Sequence, residues 1–425
     1  MIEPTNIVEL AKKISDAAQV VSQFAHAHDA RLSFDPKDPD PSSMSGPGSE
    51  AFHQARTVIL EASATITGLL AGDKTPFVTL CSNFHAASAL RVVLQYGLAQ
   101  AVPAQGSVSY AEVAQKTGLD ARTVQRILGV LMGYHIFYQP ALGQVAHTRL
   151  SLQMITHEGL NALVDFSFRE LYTYSHNITD ALLKWGPSQE PSEGAFNYSQ
   201  DTKYNLYEYL DHNKDAQASF SRMMDFLAST ELSNMDAIYD GFDWESMGDA
   251  LVIDVAGSVG HVSVQLAKRF PRLRFLVQDY ESVCRRGESL LPVDLQDRVR
   301  FQPHDMFQDQ PKVADRKVVF FVRAILHNWS DKYACRILRA ILPALKPGDR
   351  IVLNEQIMPE PGTASPLIEQ LIRTSDMTMM SAFNGQERTA EQFKDLVREV
   401  HPDLQVVQMK SPSALAMGTV EISWK

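Results

Sequence analysis

Beyond residue 243 the apolar residues of this chain fall into short runs, Leu251–Val255, Arg274–Gln278, Val299–Gln302, Lys317–Val322 and Arg350–Glu355, separated by stretches long enough for a helix. Short apolar runs alternating with helical segments predict a mainly parallel sheet covered on both faces, because a parallel strand needs a crossover and has no side facing solvent. The last two runs, Val406–Lys410 and Gly418–Trp424, have nothing of helix length between them and predict an antiparallel hairpin at a sheet edge. Upstream the period is helical, over 7–30, 50–72, 86–98, 109–118, 120–131, 158–185 and 203–240. The stretch from Phe34 to Gly48 is too rich in Pro, Asp, Ser and Gly to continue a helix and predicts a loop. A hairpin-like segment at 137–147 completes a helix–turn–helix–wing order, and a Pro/Gly/Ser-containing link at 186–194 joins the last two helical stretches.

Composition narrows what these elements can serve. A chain of 425 residues is expected to hold more than one folding unit. With 39 basic against 50 acidic residues the net charge is -11, which disfavours nucleic acid as a partner. The wing order admits a DNA-binding reading, but its second helix offers only Arg122 and Arg126 as basic groups. A packing and dimerisation module fits better. Cys81, Cys284 and Cys335 are far apart and lack CxxC spacing, so neither a zinc site nor a disulfide framework is indicated, and a reducing, cytoplasmic setting is expected. The opening residues lack a basic region followed by an apolar run, and no apolar stretch is read as long enough to span a membrane.

The chemistry gathers in the second half. The first strand runs into Asp254-Val-Ala-Gly257-Ser-Val-Gly260, an acid and two glycines in a turn that lets a ligand approach the backbone at the carboxyl edge of the sheet. Asp279 ends the second strand about 20 residues beyond that turn, the placement of a carboxylate that grips ribose hydroxyls. His304-Asp305-Met306-Phe307 follows the third strand and supplies an acid and an apolar pair where an adenine could sit. His327 follows the fourth strand, Glu355 lies 28 positions on and Glu387 another 32, the pattern of a base held by two acids. Taken singly, His327 could be a buried structural histidine, Glu355 a surface acid at a strand end, and Glu387 half of an exposed pair with Arg388. Their joint occurrence favours the catalytic reading. No further cluster with metal-ligand spacing stands apart from this set, so no metal is expected.

These residues resemble the class I S-adenosylmethionine-dependent O-methyltransferases of the plant caffeate and flavonoid type, particularly their fungal secondary-metabolite branch. The resemblance covers roughly residues 80–425 and rests on His327-Asn-Trp-Ser-Asp331, Leu342-Pro-Ala-Leu-Lys-Pro-Gly348, Asn354-Glu-Gln-Ile-Met-Pro-Glu360 and Gly385-Gln-Glu-Arg-Thr389. It implies an α/β fold with a Rossmann-like catalytic domain at 243–425 and a helical linker and pocket region at 156–242. It further implies a winged-helix dimerisation domain at 81–155, ahead of which the helical spacing of residues 7–30 and 50–72 predicts a helical extension at 1–80. The cofactor implied is S-adenosylmethionine, held by Asp254, Gly257, Gly260, Asp279, Asp305, Met306 and Arg323. The partners implied are a small aromatic or polyketide-like acceptor and a second copy of the chain. Met223, Phe226, Met377 and Met380 match segments that line the family's acceptor pocket, and Trp329 either walls that pocket or fills the core. Two positions depart from the pattern: Ala256 stands where the glycine turn has Gly, and Asn328 stands where Asp commonly follows the histidine.

Two activities fit this reading. The first is methyl transfer to a hydroxyl, with His327 as general base. The alternative is a methyltransferase-like pericyclase or dehydratase, of the kind that catalyses Diels–Alder or Alder-ene cyclisation in pyridone alkaloid pathways. It would keep the methyl and use Arg323, His327 or a pocket residue such as His176 to polarise a carbonyl.

Overall fold

A computed structural model describes residues 6–228, 235–412 and 416–425. The chain forms two compact units, Met1–Glu170 with Asp215–Phe226 and Ser365–Leu367, and Leu171–Lys214 with Leu227–Ala364 and Ile368–Lys425.

The second unit is built on a sheet of seven strands: β1 (Leu251–Val255), β2 (Arg274–Asp279), β3 (Val299–Pro303), β4 (Val318–Arg323), β5 (Arg350–Glu355), β6 (Leu404–Lys410) and β7 (Gly418–Trp424). Their order across the sheet is β6-β7-β5-β4-β1-β2-β3. The first five strands are mutually parallel, and β7 lies antiparallel to both β5 and β6, so the C-terminal hairpin closes one edge as its sequence predicts. Side chains alternate across each strand and fill two cores. Ile253, Phe320, Val322 and Leu353 pack against Ile337, Leu338, Leu396 and Val397 from helices Asp331–Ile341 and Ala390–Val400. Val252, Val277, Phe321 and Val352 pack against Trp244 and against Leu266 and Ala267 of helix His261–Arg269. Each such burial contributes roughly 1.5–3 kcal/mol, which is why the strands read as continuous apolar runs. The chain winds outward from β1 in one direction through β2 and β3, and from β4 in the other, so the carboxyl ends of β1 and β4 flank a crevice of the kind where open α/β sheets bind ligands.

In the first unit, helices Ile7–Ala27 and Ser49–Leu70 pair through Phe24 and Phe52, whose ring centroids are 4.6 Å apart. The loop at 34–48 lies between them, as its composition predicts. The helix–turn–helix is formed by Tyr110–Thr117 and Ala121–Met132, each started by a side-chain cap, Ser109 on Glu112 N (3.2 Å) and Asp120 on Thr123 N (2.9 Å). Val124, Leu128 and Leu131 form one apolar face and bury with Val93, Leu98 and Val113. The wing strand Gln144–Val145 pairs not within a hairpin alone but with Val108–Ser109, ahead of the first helix.

Three expectations change. The stretch at 158–185 is not one helix: Glu158–Phe166 passes through a π-turn at Ser167–Leu171 into Tyr172–His176, and Ile178–Trp185 restarts after Asn177. The stretch at 203–240 breaks at Asn213, whose backbone is extended, into Leu206–His212 and Lys214–Ala228, and resumes at Met235–Gly241; residues 229–234 lie outside the described residues. The link at 186–194 leads directly into a further short helix, Ala195–Gln200. In addition, Thr75–Gln95, two helices abutting at Asn83, is long and apolar enough by length and composition to cross a membrane, which the sequence reading did not anticipate. Its Ser, Thr, Asn and His residues dilute the run to the eye, yet Phe77, Val78 and Leu80 are each about two-thirds exposed, at 70%, 67% and 64%.

Candidate active site

Three turns at the carboxyl edge of the sheet carry the chemistry. The turn after β1 alternates left-handed residues, Ala256 at φ 55°, Ser258 at φ 53° and Gly260 at φ 77°. Alternation of this kind curls the backbone so that successive N–H groups face inward. Gly257 packs directly under the Asp254 carboxyl, leaving no room for a Cβ, and its N–H donates to Gln278 O at 3.0 Å. Asp254 itself is buried and accepts from Ser263 Oγ at 2.6 Å; burial pushes its pKa up to about 6, against the opposing pull of Ser263 and Arg323. Asp279, at the end of β2, accepts from Ser258 N at 2.9 Å and Tyr280 N at 2.8 Å, so the two acids are fixed to one turn. Burial also raises the Asp279 pKa.

The turn after β4 bends at Ala324, φ 53°, into a 3-10 turn at Leu326–Asn328 that presents His327. Glu355, ending β5 and fully buried, holds this turn from below: its Oε1 accepts from Ile325 N at 2.9 Å and Leu326 N at 2.7 Å. Glu387 reaches the imidazole from the segment before strand Arg388–Thr389, and His327 Nδ1 donates to its Oε1 at 3.0 Å. Since a carboxylate can only accept, the proton sits on Nδ1 and the lone pair is left on Nε2. Burial pulls the His327 pKa down, but the Glu387 hydrogen bond and the charges of Glu355 and Glu387 outweigh it, and the net shift is upward. Burial, with the Glu387 charge adding to it, raises Glu355. Ligand atoms of the three residues lie within 4.8 Å of one another, also a donor set for a divalent ion.

The remaining residues singled out in the sequence are distributed as follows. Arg323 ends β4 and feels the charges of both Asp254 and Glu355, which places it between the β1 turn and the histidine; burial lowers its pKa. Asp305 is exposed and caps its own turn by accepting from Phe307 N at 3.0 Å, while Met306 packs half-buried on the core. Trp329 is buried between Phe307 and Tyr333, with centroids 4.9 and 5.7 Å away, so its ring fills the core beside the histidine. Met377 and Met380 lie on helix Pro366–Phe383, and His176 is exposed at the end of its helix. Met223 and Phe226 belong to the other unit, where Met223 is buried and the Phe226 ring packs against Gly159.

Two residues escaped the sequence reading. Tyr207, from helix Leu206–His212, accepts from Asn328 Nδ2 at 3.1 Å and packs against Phe383; burial raises its phenol, and the charges of Asp279 and Glu355 both reach it. Arg388 is the other. Glu387 is not half of an exposed pair with it: both are buried, and Arg388 pairs with Asp331 while Glu387 turns to His327. No pattern in the sequence marks Tyr207, since its partner lies 121 positions away.

The O-methyltransferase domain family matches residues 177–400, more than half of the chain, and the O-methyltransferase dimerisation domain matches 78–156. The O-methyltransferase VdtC of Byssochlamys spectabilis is 32% identical over 378 residues, covering 88% of this chain and 87% of its own. The chain belongs to the S-adenosylmethionine-dependent O-methyltransferase family. The O-methyltransferase AMT9 of Alternaria alternata is similar to the same degree, 34% identical over 384 residues with 87% and 86% covered. Among solved structures, LepI in complex with S-adenosylmethionine superposes with a TM-score of 0.72 at 19% identity, covering 98% of this chain and all of that one. OxaC superposes with a TM-score of 0.75 at 20% identity, covering 98% and 99%. At such identities the likeness establishes the methyltransferase fold alone.

The groups at the β1 and β2 turns suit the family's cofactor. S-adenosylmethionine presents two cations, a carboxylate, a ribose diol and a flat purine. Asp254, Asp279 and Arg323 offer charges of both signs beside the β1 turn, whose Gly257, Ser258 and Gly260 N–H groups are donated within the protein and fix its shape. Gln278, beside Asp279 and 1% exposed, keeps both amide atoms without a protein partner among the described residues. In the O-methyltransferase pattern the left-handed positions 256 and 258 are glycines; here Ala and Ser occupy them at the same kind of φ.

Proposed function

We propose that this enzyme methylates a hydroxyl of an aromatic or polyketide-like small molecule, with His327 as the general base and Glu355 and Glu387 as the groups that hold and tune it. The observation that carries the reading is the His327 Nδ1 to Glu387 hydrogen bond at 3.0 Å, on a side chain still 15% exposed, because it leaves a basic Nε2 directed away from the carboxylate. A phenol with pKa near 10 is mostly protonated at neutral pH. An imidazole that removes this proton during attack is worth on the order of 10²–10⁴ in rate, and alignment of the reacting groups supplies much of the rest. Bound S-adenosylmethionine supplies an electrophilic methyl on a sulfonium. Asp279 would hold its ribose, Asp305 and Met306 its adenine, and Asp254, Gly257, Gly260 and Arg323 its amino-acid end. His176, Met377 and Met380, all in the unit of His327, would border the acceptor, while Trp329 backs the histidine turn from the core. The exposed Val78 and Leu80, within the match to the dimerisation domain, and Phe77 just before it support a homodimer.

The test is mass spectrometry of the enzyme with S-adenosylmethionine and a panel of phenolic, polyketide and pyridone metabolites. Equal formation of S-adenosylhomocysteine and a product heavier by one methylene, both lost in His327→Ala, is the expected result. An isomerised or dehydrated product without S-adenosylhomocysteine would overturn methyl transfer in favour of a pericyclase or dehydratase.

A further inference from the structure

The proposed mechanism leaves unused the most completely enclosed cation of the site. Arg388 is 1% exposed and spends most of its guanidinium on the segment that carries His327, with a longer 3.4 Å contact from Nη1 to Gln386 O. Its Nη1 donates to Leu326 O at 2.9 Å and its Nη2 to Trp329 O at 2.9 Å, the carbonyls on either side of the histidine turn. Its Nε donates to Asp331 Oδ1 at 2.9 Å, at the first residue of the next helix. The neighbouring residues complete the grip. Gln386 N donates to His327 O at 3.0 Å, Gln386 Nε2 to Asp331 Oδ1 at 2.8 Å, and Gly385 sits so close beneath His327 O that a Cβ has no room. Residues 385–388 thus hold the backbone of 326–331 at several points, and Glu387, between Gln386 and Arg388, is delivered to the imidazole by the same segment.

We propose that Arg388 is the positioning residue of the base: its planar fork locks the His327 turn to the segment bearing Glu387, so that the imidazole and its carboxylate move as one body. The fork geometry is what matters, since a planar guanidinium serves three acceptors in fixed directions and a lysine ammonium does not. This inference rests on the reading of His327 as base only for its kinetic consequence, and its structural consequence can be measured separately. The groups that face His327 are Glu387 and Glu355, with Asp376 behind Glu387 through Glu387 N (2.8 Å), and Arg323 and Tyr207 coupled to Glu355. Arg388 and Asp331 flank the turn. Glu387 and Glu355 drive the upward shift of the imidazole, so a loosened Glu387 contact leaves burial dominant and lowers the His327 pKa.

The experiment is an NMR titration of the full-length chain labelled at histidine carbon, with His327→Gln to assign the resonance, in the parent, in Arg388→Lys and in Asp331→Glu. Asp331→Glu keeps every charge and displaces one carboxylate of the clamp, so it serves where the lysine variant does not fold. The expected result is a His327 titration moved to lower pH in Arg388→Lys, and less so in Asp331→Glu. A roughly 10–100-fold fall in kcat would accompany it, with the KM for S-adenosylmethionine little changed, the loss that a misplacement of about 1 Å brings. If the imidazole titration shifts while the acid limb of kcat stays in place, the clamp stands and His327 is not the base. If the titration stays in place in the folded variants and activity falls only with the amount of folded protein, Arg388 is a structural residue and the inference is wrong.

Discussion

Ala256 is one of two non-glycine residues, with Ser258, held left-handed in this turn, and Ala256→Gly should release its share of the strain. At φ 55° the Ala256 side chain stands in the left-handed region, where an L-residue is about 1–2 kcal/mol less stable than in its ordinary conformations. Glycine removes that cost, but the unfolded chain then gains backbone freedom worth about 0.4–1 kcal/mol. The difference leaves a net stabilisation of roughly 0.5–1 kcal/mol, or about 1–4 °C in the melting temperature of a unit of this size. The methyl also occupies the turn where the family's cofactor approaches the backbone, so affinity for S-adenosylmethionine should rise by a few-fold in the same variant. Thermal melting of the ligand-free protein and calorimetric titration with S-adenosylhomocysteine measure the two effects separately. A variant destabilised by 1 kcal/mol or more would refute the reasoning, because the alanine methyl would then be gaining more from packing than it loses to the backbone.

Replacing Glu387 by Gln should move the acid limb of kcat/KM to lower pH, since the carboxylate charge that favours the His327 imidazolium is lost, a neutral amide oxygen is left as acceptor and the burial remains. The folded-state pKa of His327 lies above the ordinary histidine value of 6.5, so the stabilisation it confers is fully present below pH 6.5 and disappears as pH rises through the folded value. The stability gap between parent and Glu387→Gln, followed by urea melts, should therefore be widest in acid and narrow above that window; a gap that widens with pH counts against the pairing. Glu355→Gln should cost at least about 10-fold in kcat through the lost charge at His327. Because burial raises the Glu355 pKa above 4.5, the parent loses stability as pH rises through that window and the amide does not, so melts at acid and neutral pH should show the variant gaining relative to the parent. Gly385→Ala forces a methyl against His327 O, and we expect about 1–3 kcal/mol of destabilisation with a fall in kcat on the order of 10²-fold. A variant with unchanged kcat would show that the histidine turn yields without consequence.

The central strands were legible because both of their faces are buried: apolar runs of five or six residues have few alternatives when each must fill two cores. The helical stretches at 158–185 and 203–240 were less so, since apolar spacing continues across a π-turn or an extended Asn213 without registering the break. The intervals between His327, Glu355 and Glu387 singled out three residues that do converge in space. What each of them bonds to, however, lay beyond sequence.

Neighbouring residues in an extended segment point to opposite sides, so Glu387 and Arg388 cannot serve one another and are free to face different partners. Which partners those are depends on the return of helix Pro366–Phe383 and the strand after it to the carboxyl edge of β4, contacts 57 to 62 positions apart in the chain. The same is true of the left-handed backbone at Ala256 and of Tyr207 against Asn328. Sequence by itself determined the strands of the main sheet, the helical character of the first half and the ionisable residues available to the site, because periodicity and residue type are local properties. Tertiary structure alone decided pairing, burial and protonation, because a hydrogen bond or a shifted pKa belongs to groups brought together by the fold rather than to either residue.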